Sequence, residues 1–163
     1  MNKSSFRKKI IRILPESLIN KIAAGEVVER PSSVVKELLE NSIDAGANEI
    51  QVKVKNGGKD LISIRDNGIG MNETNAKLSF ERHATSKIEK EEDLFNIMSL
   101  GFRGEALAAI SSVSYFELLT CDNQNQSGTR VFIKGGEIEQ VGKIGFPKGT
   151  KITVEKLFYN TPA

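Results

Sequence analysis

The spacing of hydrophobic residues changes period along this chain, and each change predicts an element. Pro15, then Glu16 to Ala24, then Gly25 predicts a short helix with proline at its start and glycine past its end. Pro31-Ser32-Ser33 signals a second helix, which runs to about Ala45 and is stopped by Gly46. Val35, Leu38, Leu39, Ser42 and Ile43 share one face of it, as an amphipathic helix packed on a sheet requires. From Glu49 to Lys55 the period drops to two, with Ile50, Val52 and Val54 alternating against polar neighbours, which marks a half-buried strand. Asn56-Gly57-Gly58 turns the chain into a second strand over Leu61 to Arg65, so the pair predicts a hairpin.

Beyond a glycine-rich loop at Asp66 to Gly70, Asn72 is placed to cap a helix through about Phe80. A short helix is expected around Glu92 to Met98, and Gly104 opens another that ends near Ser111. Val113 to Phe158 predicts mostly strands, with turns at Gln124 to Gly128, Gly135-Gly136 and Gly145 to Gly149. Helices early, strands late and hairpins between them predict an α+β fold with a largely antiparallel sheet rather than a Rossmann fold.

Composition narrows the class without naming a function. A chain of 163 residues is room for one domain. At 27% charged residues it is neither a disordered acidic tail nor a coiled coil. The net charge of +2 makes no case for nucleic acid by itself, and no apolar run is long enough to span a membrane. The single cysteine, Cys121, excludes an intramolecular disulfide and any cysteine-rich zinc site, and favours a reduced compartment. Lys3, Arg7, Lys8, Lys9 and Arg12 stand in an acid-free start, which we treat as a basic arm over residues 1–14.

Three constellations carry candidate chemistry. Glu37, Asn41 and Asp44, spaced i, i+4, i+7, line one stripe of the second helix, with Glu40 at its edge. Such a stripe is also what a solvated face looks like, but asparagine is a poor mid-helix residue, and a carboxylate one turn from an amide oxygen can orient water beside Mg²⁺. Asp66-Asn67-Gly68-Ile69-Gly70 is either an ordinary Asx turn or a carboxylate beside a backbone that a ligand can approach closely. Gly101-Phe102-Arg103-Gly104-Glu105-Ala106-Leu107 feeds a loop into a helix start, either a plain junction or an anion site with Arg103 at hand. No Walker run is present. The lone His83 has neither a second histidine nor spare cysteines for zinc, and is assigned a structural role. Thr85, Ser86 and Lys87 are plausible phosphate donors in the loop that follows.

Taken in order, these motifs resemble the GHKL ATPases, the family of gyrase, heat-shock chaperones, histidine kinases and MutL. Within it the chain resembles the MutL branch, through Ile22 to Pro31, Lys36 to Gly46, Arg82 to Lys87, Gly101 to Leu107 and Phe158 to Ala163. The resemblance implies a two-layer α+β sandwich, a mixed, largely antiparallel sheet with helices on one face, over residues 15–163. It also implies that this domain is incomplete, since family members continue into further helices and domains. Carried over by position, Glu37 resembles the general base and Asn41 the Mg²⁺ ligand. Asp66 resembles the adenine reader, with Gly68 and Gly70 beneath the base and Thr150 close by. Thr85, Ser86, Lys87 and Gly101, Phe102, Arg103, Gly104, Glu105, Ala106 and Leu107 resemble the phosphate-contacting lid.

The function implied is ATP binding and hydrolysis with Mg²⁺ in DNA mismatch repair, in which closure of the lid drives an N-terminal homodimer. The implied partners are a MutS-type mismatch-recognition protein, DNA through regions mostly outside this chain, and a downstream nuclease or helicase, with no membrane. The implied compartment is the bacterial-type cytoplasm, or the nucleus or an organelle in a eukaryote. The expectation for this stretch alone is ATP binding with little or no turnover. A sensor histidine kinase would share the pocket but should carry a phosphoacceptor-histidine helix upstream, whereas only about fifteen residues precede the first helix here. A module that binds nucleotide without turnover stays open as an alternative.

Overall fold

A computed structural model of the chain describes residues 11–82, 84–85, 104–124 and 127–161. Its frame is a six-stranded sheet built from β1 (Ile50–Lys55), β2 (Leu61–Asp66), β3 (Tyr115–Cys121), β4 (Gly128–Lys134), β5 (Glu137–Ile144) and β6 (Gly149–Glu155). The strand order is β1-β2-β6-β3-β4-β5, and all five pairings are antiparallel. The hairpin expected from the early strands is therefore present, its turn made by Asn56–Gly58, and β6 returns from the end of the chain to lie between β2 and β3.

Register stacks the apolar side chains of one sheet face into rows. Ile62, Val154, Phe116 and Ile133 are successive cross-strand partners, and Ile64, Ile152, Leu118 and Val131 form the next row. All eight are buried, and they form one cluster with residues from the helices α1 (Glu16–Val27), α2 (Pro31–Asp44), α3 (Glu73–Leu78) and α4 (Ala106–Ser112). The helices thus cover this face, α2 over β2, α3 over β4 and α4 over β3 and β4, with α1 packed on α4. The other face is polar, with Arg130 paired to Glu117 at 2.7 Å and Lys134 and Lys156 over the Tyr115 ring. Both rows are broken at the edges of the sheet, where helices no longer reach.

Local signals place the helix ends well. Pro15 precedes α1 and Pro31 is the first residue of α2. The α2 stop is a Schellman motif, since the Ala47 amide donates to the Ser42 carbonyl and the Gly46 amide to the Ile43 carbonyl, with Gly46 at φ +70°. Asn72 caps α3 by accepting from the Asn75 amide, and the Lys77 ammonium bonds Glu73, holding that carboxyl below the usual glutamate range. The remaining turns, at Gly135-Gly136 and over residues 145–148, fall where expected.

Three expectations are corrected. Helix α1 does not stop before Gly25 but runs through it to Val27, because one more turn carries Val28 into the core beside Ala24. Strand β1 is not half-buried: Val52 and Val54 are 48% and 46% exposed, because β1 is an edge strand and α2 packs over its neighbour β2. Ile43 is 54% exposed instead of packed, a difference that bears on the site below. The helix expected at Glu92 to Met98 and His83 lie outside the described residues.

Candidate functional site

Below the two apolar rows the covered face of the sheet turns polar. Asp66 on β2 pairs with Thr150 on β6, Thr150 with Thr120 on β3, and Thr120 with Thr129 on β4. A carboxylate and three hydroxyls thus continue a surface that is aliphatic one row above. Asp66 is buried, 8% exposed, which demands hydrogen-bond partners. Its Oδ1 accepts from the Gly68 amide at 2.9 Å and its Oδ2 from the Ser42 hydroxyl at 3.0 Å. Both carboxylate oxygens keep a further lone pair for a ligand.

The loop after Asp66 is fastened at every step. Asn67 Oδ1 accepts from the Asn48 and Glu49 amides, the Ile69 amide donates to the Ala45 carbonyl, and the Met71 amide donates to Thr120 Oγ1. Gly70 stands at φ +67° and lies against the Cys121 carbonyl, into which any Cβ would run. Glycine is needed there both for the left-handed backbone and for the close approach. The loop is therefore wedged between the end of α2 and the ends of β3 and β6, and Asp66, Gly68, Gly70 and Thr150 of the sequence-derived set come together around it.

Helix α2 supplies the second wall. Its buried stripe is Val34, Leu38 and Ser42, with Val35 and Leu39 only partly covered. The helix is thus turned toward Val34 relative to the face expected from spacing, which is why Ile43 is exposed. The same turn moves the polar stripe. Glu37 and Asn41 lie about 60–100° round the helix from Leu38 and Ser42 and flank the buried stripe instead of opposing it. Glu37, Asn41 and Asp44 are accordingly half-buried, and Ser42, one residue after Asn41, ties this helix directly to Asp66.

No group of three or more histidine, cysteine or acidic side chains able to hold a metal occurs among the described residues. That donor set fits Mg²⁺ all the same, because Mg²⁺ keeps most of its waters and takes one or two protein oxygens plus substrate phosphates. The Asn41 amide oxygen, with Glu37 one turn away, is such a donor.

The loop residues form a separate group. Thr85 is half-buried, and Gly104, at φ +62°, lies against the Ala84 carbonyl. Arg82 reaches Glu105 at 3.5 Å, so the segments before 85 and after 104 are joined. Glu105 precedes α4, Ala106 is its first residue, and Leu107 packs against the core. Ser86, Lys87, Gly101, Phe102 and Arg103 lie outside the described residues.

Two residues of this network carry no site role in the sequence reading. Ser42 counts there as part of the packing face, and Thr120 is one residue of a strand. Each interrupts an apolar series, Val34-Leu38-Ser42 at period four and Phe116-Leu118-Thr120 at period two. A buried hydroxyl at the end of such a series was the available signal.

Residues 29–158 match the family described as histidine kinase-, DNA gyrase B-, and HSP90-like ATPase. The chain is 56% identical over 153 residues to the DNA mismatch repair protein MutL of Geotalea daltonii, covering 94% of this chain and 26% of that protein. It is 52% identical over 154 residues to MutL of Porphyromonas gingivalis, covering 94% and 25%. It therefore spans about a quarter of the length of these relatives. Among solved structures, the N-terminal domain of a DNA repair protein superposes with a TM-score of 0.72 at 31% identity, over 88% of this chain and 40% of that one. The Aquifex aeolicus MutL ATPase domain complexed with ADP gives 0.61 at 35% identity, over 83% and 46%.

Proposed function

Because this chain belongs to the histidine kinase-, DNA gyrase B- and HSP90-like ATPases, and within them to the MutL mismatch-repair branch, we propose that it binds Mg-ATP between α2 and the polar row of the sheet. The observation that carries the proposal is Asp66. It is a buried carboxylate whose orientation is set by Ser42 and the Gly68 amide, with acceptor capacity left over and glycine backbone beside it. Such a group accepts a hydrogen bond from the exocyclic amine of adenine, with Gly68 and Gly70 allowing the ring to lie close and Thr150 beside it.

Asn41 is the side chain proposed to hold Mg²⁺, which when bound neutralises charge on the phosphate oxygens. Glu37, one turn earlier, takes a proton from the attacking water as its oxygen bonds to the γ-phosphorus, and the bond to the β-phosphate oxygen breaks to release ADP. Thr85, Ser86, Lys87 and residues 101–107 would contact the phosphates. In the intact protein, closure of this lid would favour an N-terminal homodimer and couple a MutS-type partner on DNA to a downstream nuclease or helicase. ATP can drive that change only by its differential affinity for the open and closed states. On this reading residues 15–163 are the nucleotide domain and residues 1–14 a basic arm, in a cytoplasmic protein. No helix among the described residues is long and apolar enough to cross a membrane.

Calorimetric titration with a non-hydrolysable ATP analogue, with and without Mg²⁺, tests the reading. Saturable, Mg²⁺-dependent binding is expected, stabilising the fold by about 2.7 kcal/mol at a hundredfold excess over Kd. Asn41→Ala should abolish the Mg²⁺-dependent binding. Glu37→Ala in the intact protein should keep binding and lose turnover. A folded chain that binds no adenine nucleotide would overturn the proposal.

A further inference from the structure

Thr120 lies behind Thr150 in the polar row and is wholly buried. Its hydroxyl oxygen has three polar neighbours: the Met71 amide at 2.9 Å, the Gly149 carbonyl at 3.1 Å and the Thr150 hydroxyl at 3.0 Å. A hydroxyl has one proton and two lone pairs. The Met71 N–H can only donate, so it occupies one lone pair. The Gly149 carbonyl can only accept, so it takes the proton. What remains is one lone pair, and the Thr150 hydroxyl fills it by donating.

The proton of half-buried Thr150 is therefore turned inward, and this side chain presents only lone pairs to whatever lies on the row. Its register partner Asp66 also accepts only, because its nearest donors, Ser42 and the Gly68 amide, already point at it. Two adjacent positions thus offer acceptors and no donor.

We infer that Thr120 is a positioning residue that sets base selectivity, by fixing Thr150 as an acceptor beside Asp66 so that the pair takes a 6-amino purine and rejects a 6-oxo purine. The inference rests on the nucleotide reading above and adds the residue that makes the row selective. An amino group brings N–H donors to these acceptors. A carbonyl in its place sets lone pairs against lone pairs, and a site built for one hydrogen-bond polarity rejects the other strongly. Thr120 itself touches no ligand. It acts through the direction of one proton.

The test is to titrate the wild-type chain, Thr120→Val, Thr120→Ser and Thr150→Val with the non-hydrolysable analogues of ATP and GTP, after circular dichroism has shown each folded. Valine keeps the shape of threonine and removes the hydroxyl, which frees Thr150 to donate. The ratio of the two dissociation constants should fall about tenfold in Thr120→Val, the size of one hydrogen bond. It should return toward wild type in Thr120→Ser, and should fall in Thr150→Val as well. The double variant should match Thr150→Val alone, because both changes remove the same contact.

A Thr120→Val chain that loses affinity for both nucleotides equally would overturn the inference, since that is what a merely structural hydroxyl would do. If Thr120→Val does not fold, Thr150→Val decides, and an unchanged ratio there overturns it equally. Failure of the folded wild-type chain to bind the ATP analogue would instead overturn the nucleotide reading, and this inference with it. Adenine binding with an unchanged ratio in the variants overturns only the assignment to Thr120.

Discussion

At Ser42 a single hydroxyl proton has two acceptors within reach, the Leu38 carbonyl at 3.1 Å and Asp66 Oδ2 at 3.0 Å. A bond to a carboxylate is the stronger, so the proton belongs to Asp66. Removing it leaves a buried carboxylate oxygen one donor short, which costs about 1–3 kcal/mol. Ser42→Ala should therefore lower stability by roughly that amount in chemical denaturation. It should also weaken binding of the ATP analogue about five- to tenfold, and unchanged affinity in a folded variant would detach Ser42 from the site. Gly70 is constrained differently, by a left-handed backbone and by the Cys121 carbonyl pressed against it. Gly70→Ala is expected to cost roughly 2–4 kcal/mol, from the strained φ and the displaced strand end together. A melting temperature within a degree of wild type would contradict this. The sequence exposed the need for glycine in this loop, but not the strand end that makes it necessary.

Helix α2 combines a structural and a functional task on neighbouring stripes. Leu38 is 1% exposed and anchors the stripe that carries Ser42 on its next turn, while Glu37 and Asn41 flank it. Leu38→Ala should cost about 2–5 kcal/mol, as buried leucine truncations do. It should also weaken nucleotide binding at temperatures where the chain is still folded, because the helix loses what fixes its rotation. Denaturant unfolding alongside titration separates the two effects. Intact affinity would mean that the helix is held by its capped ends alone. The existence and ends of α2 were legible from Pro31 and Gly46, but its rotation was not. Spacing allowed a face centred between Leu38 and Leu39, and packing selected one centred on Leu38, with Val34 fully buried. Strand β1 shows the same limit. Its alternation is real, yet an edge position leaves Val52 and Val54 half exposed.

For the molecule as a whole, the order β1-β2-β6-β3-β4-β5 puts the last strand of the chain near the middle of the sheet. Strands β2, β6 and β3 have partners on both sides and supply most of the two buried rows, whereas β5 is an edge strand with mostly exposed residues. Native-state hydrogen exchange should therefore be slowest for amides of β6 and its neighbours, and orders of magnitude faster in β5 and β1. Uniform protection across the sheet would contradict this layout. The late arrival of β6 also matters for the site. Thr150 meets Asp66 only when a strand some eighty residues later in the chain inserts beside β2, so the row cannot form before most of the sheet has assembled.

Local chemistry in the sequence determined the elements, their ends and the α+β class. Helix ends, hairpin turns and alternation depend on residues a few positions apart, and those signals are carried whole in the chain. The resemblance picked out Glu37, Asn41, Asp66 and Thr150 one by one. Only tertiary structure decided how they face one another. The rotation of α2 follows from volume filling against β2, and the row Asp66-Thr150-Thr120 from register between strands distant in sequence. Neither quantity is a property of any local segment. The direction of the Thr150 proton is further removed still, for it is set by the sum of donors and acceptors around Thr120, which residues 71, 149 and 150 supply only once the sheet has closed over them.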